Sequence, residues 1–169
     1  MNDLDALLAA NRSAVDDFVA VAERAEARWN TPRAPGKWSP AQLAEHVARS
    51  LDEAANVVAN RPSKFPTLPS FIRPLAGWML RRTVRTGKFP KAKTNRAMNP
   101  ERTSPAVQAS PAEARARLRA ALASFERECR ARAASRQPIE SPAFGIVTVE
   151  DYARFTELHT RHHARQMPS

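Results

Sequence analysis

Three short strings constrain this chain more than any other feature. Ser39-Pro40-Ala41-Gln42, Ser110-Pro111-Ala112-Glu113 and Thr148-Val149-Glu150-Asp151 each read as a helix start. A Ser or Thr side chain accepts from the N–H three residues on, and a Pro at the first helical position has no N–H to lose. Trp38 with Leu43, and Val147 with Tyr152, have the spacing of a hydrophobic staple across the first and third of these starts. An earlier segment, about Asp3–Arg28, repeats Leu4, Leu7, Leu8, Val15, Phe18, Val19 and Ala22 at three- and four-residue intervals, then stops at the turn TPRAPG, residues 31–36. The second helix runs to about Asn60, short of Pro62. The third runs to about Ser135 with Leu118, Leu122, Phe125 and Cys129 on one face, and the fourth reaches about Gln166. With 32 Ala against 4 Gly, the composition favours helix over a turn-rich sheet. Four such helices, each with one apolar stripe, predict an all-α fold, a four-helix bundle occupying residues 1–169 as one domain.

Charge is distributed unevenly along that frame. The chain carries 27 Lys and Arg against 17 Asp and Glu, a net +10. Residues 61–109 hold 11 of the basic residues, one acid (Glu101) and 7 of the 14 prolines. The rest of the chain is electrically balanced. This segment reads as a long, irregular, basic connection between the second and third helices, with one short helix near Leu75–Arg85. Its few aromatics, Phe65, Phe71, Trp78 and Phe89, argue against stacking on nucleic-acid bases. Its apolar residues, among them Leu75, Trp78 and Met79, suit packing on the bundle or a homodimer surface. No apolar run approaches the roughly 18 residues of a membrane-spanning helix, and the first residues, MNDLDALLAANR, are acidic rather than signal-like. A single cysteine, Cys129, excludes an internal disulfide and a cysteine-built zinc site. The reading is a cytoplasmic chain with no membrane partner.

The four histidines carry the chemistry. His46 falls on the apolar stripe of the second helix with Leu43, Val47, Ser50 and Ala54. His159 and His163 share a stripe of the last helix with Tyr152, Phe155 and Gln166, one turn apart. Two imidazoles at that spacing can grip one ion, and a third from a facing helix completes a three-histidine set with an open position, the catalytic arrangement. A single inward histidine is more often a hydrogen-bonded core residue; three on two helices are harder to satisfy that way. His162 lies off the stripe and reads as a surface residue, or else as a support to the ligands. Glu45, next to His46, points about 100° away on the helix and is no candidate base. Glu-x-x-His and His-Glu-x-x-His patterns are absent.

At these residues the chain resembles the DinB-like superfamily of metal-binding four-helix bundles. GKWSPAQLAEHVARS, residues 36–50, is similar to its second-helix motif, with His46 at the ligand position. PAFGIVTVEDYARFTELHTRHHARQ, residues 142–166, is similar to the C-terminal motif of a subfamily of unknown function, Phe-Gly followed by His-x-x-His-His-x-x-Gln. Ser141 departs from it, where a His precedes the Pro, and Val147 replaces a Leu. The resemblance implies a site of His46, His159 and His163 for one divalent ion, Zn²⁺ or Ni²⁺ foremost, with Fe²⁺ and Mn²⁺ also suited. Characterised members include transferases of low-molecular-weight thiols such as bacillithiol or mycothiol, and a thiol-dependent isomerase.

The expected function is therefore a metal-dependent transferase or hydrolase, in which an activated water or thiol attacks an electrophile. Gln166 is placed to orient a ligand imidazole or the incoming group. The basic segment would cover the site and hold a small anionic substrate, with Arg81, Arg82 and Arg85 as the candidate cofactor- or substrate-binding cations. The alternative is a non-catalytic, metal-containing module whose basic segment docks an acidic partner or nucleic acid.

Overall fold

A computed structural model describes residues 3–89, 94, 96–101 and 107–168. Among these residues there are five α-helices, the four long ones expected and the one expected near Leu75–Arg85: α1 (Asp3–Arg24), α2 (Pro40–Val58), α3 (Arg73–Thr86), α4 (Pro111–Ser135) and α5 (Val149–Ala164). No helix is long and apolar enough to cross a membrane. The three capped starts form as their chemistry dictates. Ser39 Oγ accepts from Gln42 N at 3.3 Å while Gln42 Oε1 accepts from Ser39 N at 2.9 Å. Ser110 and Thr148 accept from Glu113 N and Asp151 N, at 3.3 and 3.1 Å. At the second start the return bond reaches one residue further, from Ala109 N to Glu113 Oε2.

The ends are shorter than periodicity suggests. α1 stops at Arg24, and a separate 3₁₀ turn, Glu26–Arg28, swings Trp29 into the core. There the indole N–H donates to the Gln108 carbonyl at 2.8 Å. α2 closes at Val58, with Asn60 in the left-handed region at φ 55°.

α1 packs on α5 and α4, and α2 packs on α4 and α5. One cluster of buried residues joins them, with Leu8, Phe18, Val47, Leu51, Leu118, Phe125 and Tyr152 among its largest members. Cys129 is fully buried in it, the small core residue expected. Outside the core, arginines bridge the helices: Arg12 to Glu126, Arg61 to Glu128, Arg115 to Glu23, Arg117 to Asp52, Arg119 to Asp16, Arg130 to Asp5 and Arg161 to Asp17.

One feature departs from an all-helical reading, and a second fills out the basic segment. The first is a hairpin, β1 (Ile139–Ser141) with β2 (Gly145–Val147), antiparallel with Ile139 opposite Val147. Ser141 closes its turn, its Oγ accepting from Phe144 N at 3.2 Å. The second is α3, a full 14-residue helix within the basic segment, which packs on α5 and β2. Leu80 enters the core and Gly77 lies against the hairpin. A Cβ on Gly77 would stand 2.7 Å from the Phe144 carbonyl oxygen, so only glycine permits this approach. Lys91, Lys93 and Arg102 of the same segment lie outside the described residues.

Candidate metal centre

The helical spacing that turns His159 and His163 to one side of α5 also faces them towards α2, which supplies His46. The ring centroids stand 4.5 Å apart for His159 and His163, 4.7 Å for His46 and His163, and 5.3 Å for His46 and His159. One ring nitrogen from each, taken together, falls within 4.8 Å of the others. His46 and His163 are buried and His159 is partly so.

Hydrogen bonds fix which nitrogen His46 and His163 present. The Met98 carbonyl, which only accepts, lies 2.9 Å from His46 Nδ1, so the proton is there and Nε2 carries the lone pair. Gln166 Oε1 accepts from His163 Nδ1 at 3.1 Å with the same consequence. His163 Nε2 then sits 3.1 Å from His159 Nε2. Two nitrogens each about 2.0–2.1 Å from one tetrahedral ion stand about 3.3 Å apart, so this pair fits a shared cation. Burial holds all three imidazoles below the ordinary histidine range. For His163 the value falls to about 3, with His46 adding to the effect. For His159 it falls well below, helped by His163 and His46. For His46 burial outweighs the opposing Met98 bond. Neutral imidazoles with free lone pairs are the form a metal ion takes.

Around the rings, Trp38 forms one wall, its ring centroid 4.9 Å from His46 and 6.3 Å from His163. Phe89, beyond α3, lies 5.2 Å from His162 and 6.1 Å from His159. His162 is half-buried rather than a plain surface residue. Its Nε2 accepts from the Gln166 amide at 2.8 Å, so Gln166 bridges His162 and His163. Glu45 stays out of the site as expected: Arg49 at 2.8 Å and Gln108 at 2.7 Å hold its carboxylate.

A cleft of about 800 Å³ opens beside His163, lined among others by Arg33, Lys37, Trp38, Arg96, His162 and Gln166. Glu101 is its one carboxylate among the described residues, so the rim is basic. Arg81, Arg82 and Arg85 are not on this cleft; they are exposed on α3. The cations that do line it come from the turn before α2 and from the 3₁₀ turn Arg96–Met98. The sequence holds one signal for the first group. Arg33 and Lys37 precede the cap of α2, and His46 lies two turns into that helix.

A mainly helical fold in which His159 and His163 of the last helix face His46 of the second is compatible with a class of helical metal-binding proteins. The DinB superfamily profile matches residues 7–167, and the chain belongs to that superfamily. Comparison with curated proteins and with solved structures found no match. The superfamily is metal-binding, and the histidine cluster is compatible with that property.

Proposed function

We propose that this is a divalent-metal-dependent enzyme of the DinB type, in which a water or a thiol attacks an electrophile held in the basic cleft. The reading includes α1, α2, α4 and α5 as a four-helix bundle and residues 61–109 as the connection inserted into it. His46, His159 and His163 would hold the ion, with Zn²⁺ or Ni²⁺ foremost. Bound there, it supplies Lewis acidity that brings the pKa of a water or thiol towards neutrality. The other contributions come from the chain itself. The Met98 carbonyl and the Gln166 amide lock two imidazoles in the ligand tautomer. Arg33, Lys37 and Arg96 offer cations to an anionic substrate group, and Trp38 offers an apolar wall. The observation that carries the reading is the convergence of three imidazoles, one of which, His163, lines a basic cleft.

The test is elemental analysis of protein purified without a histidine tag, followed by a thiol-transfer screen with several low-molecular-weight thiols. One ion per chain, lost in His163→Ala together with turnover, is the expected result. Stoichiometric metal persisting in the triple His46/His159/His163→Ala variant overturns it. A second reading, a non-catalytic metal-containing module, is favoured by the exposed basic face of α3. It predicts a retained ion with no turnover in the screen, and salt-dependent retention of an acidic partner.

A further inference from the structure

α3 buries its small side and exposes its large one. Ala76, Gly77, Leu80 and Thr83 face the protein. Phe71 (81% exposed), Leu75 (60%), Trp78 (53%) and Met79 (39%) face outwards. Leu75, Trp78 and Arg82 follow one another at the three- and four-residue steps of a single stripe of α3, and Phe71 lies in the turn just before the helix. Arg81 and Arg85 flank this stripe, and both are exposed, as is Lys88 just past the helix. Several arginines of the other helices, among them Arg12, Arg115 and Arg130, pair across to Asp and Glu. Arg81, Arg82 and Arg85 pair with no described carboxylate. Residues 61–89 contain no acidic residue at all. The helix is firmly seated, because Leu80 is in the core and Gly77 meets the Phe144 carbonyl. Its orientation is therefore set by the fold.

We propose that this face of α3 docks the protein on an anionic lipid surface, with Phe71, Leu75, Trp78 and Met79 entering the interface and Arg81, Arg82 and Arg85 meeting headgroup phosphates. Sequence alone gives no reason to expect a membrane partner; the outward stripe and its unpaired guanidinium groups supply one. Aromatic and aliphatic side chains bounded by arginines are the pattern of helices that lie in a bilayer interface. A second copy of the chain is a poorer occupant. Its matching face brings no carboxylate for Arg82, which would be desolvated within the apolar stripe. A bilayer with anionic lipids supplies both the apolar phase and the phosphates. The projecting side chains also need no preformed groove in such a partner.

Vesicle flotation tests the proposal, with phosphatidylcholine alone against equal parts phosphatidylcholine and phosphatidylglycerol. The protein should float with the anionic vesicles, not with phosphatidylcholine alone, and salt should weaken the association. Its tryptophan emission should shift to shorter wavelength on binding, and that shift should vanish in Trp78→Phe, because Trp29 is buried in the core and Trp38 packs against His46 and His163. The double variant Leu75→Ser/Met79→Ser removes exposed side chains, so the fold is retained, which circular dichroism verifies. Its vesicle partition should fall at least about tenfold. Three outcomes overturn the proposal. One is absence of vesicle binding, including the case where polyglutamate or DNA binds instead. Another is vesicle binding that the double variant leaves unchanged. The third is a concentration-dependent dimer, formed without lipid, that the double variant abolishes.

Discussion

The Met98 carbonyl oxygen accepts from His46 Nδ1 at 2.9 Å, across 52 residues of sequence. The basic connection thus reaches back to fix the tautomer of a candidate ligand on α2. The bond is main-chain on one side, so what holds it in place is the Met98 side chain, which is buried. Met98→Ala should cost about 2–4 kcal/mol of stability by opening a cavity. It should also weaken metal binding about 10–100-fold as the carbonyl loses its position. Met98→Leu conserves volume and should change both far less. Denaturant unfolding of the metal-free protein and competition with a chelator give the two readouts.

Gln166 is the second support. Its amide oxygen takes the His163 Nδ1 proton while its NH₂ donates to His162. Gln166→Leu leaves a buried imidazole N–H without an acceptor and should lower metal affinity about 10–100-fold. Gln166→Glu keeps the acceptor towards His163 and should retain affinity, losing only the bond to His162. Equal loss in both variants would show that the amide's donor side, not its acceptor, matters.

Local signals made much of this legible in the sequence. Ser39, Ser110 and Thr148 announce their helices because a cap needs only its own first turn. His46, His159 and His163 were readable because helical periodicity turns each towards the core. Long-range features were not. Strands of three residues are too short to show alternation, so Ile139–Ser141 and Gly145–Val147 gave no strand signal. α3 has two stripes at helical spacing, one bulky and one small, and hydrophobicity favours burying the bulky one. The fold buries the small one, because the Phe144 carbonyl leaves room only for Gly77. That choice also carries Arg81, Arg82 and Arg85 away from the cleft, whose cations come from two separate turns.

Cys129 should make stability fall at alkaline pH. Burial pushes its thiol up to about 12, against 9.0 when free, with Glu126 and Glu128 adding to the shift. Below about pH 9 the thiol is protonated in both states and contributes no pH dependence. Above it the unfolded chain releases a proton that the native core retains, which favours unfolding. The loss is about 1.4 kcal/mol per pH unit until the native thiol itself titrates. Burial raises the Tyr152 phenol too, with Cys129 adding to the effect, so the total slope exceeds one proton. Subtracting the profile of Cys129→Ala, measured by urea unfolding at a series of pH values, isolates the cysteine. The same burial should leave the native thiol unreactive to alkylating reagents near pH 8, and reactive once the chain unfolds.

Gly77→Ala tests how α3 is seated. The added methyl would lie 2.7 Å from a backbone carbonyl oxygen, and neither the helix nor the hairpin turn can yield by rotating a side chain. Alanine favours helix by about 1 kcal/mol over glycine, so an unconstrained position would gain stability. Here the clash should prevail, with a net loss of about 1–3 kcal/mol. The damage should also be local. α3 should lift from the hairpin, and amides of residues 73–86 should exchange faster than those of α2 and α4. Hydrogen exchange resolved by residue, run beside thermal unfolding, checks both. A stabilised variant with unchanged exchange in α3 would mean that the helix does not rest on the Phe144 carbonyl.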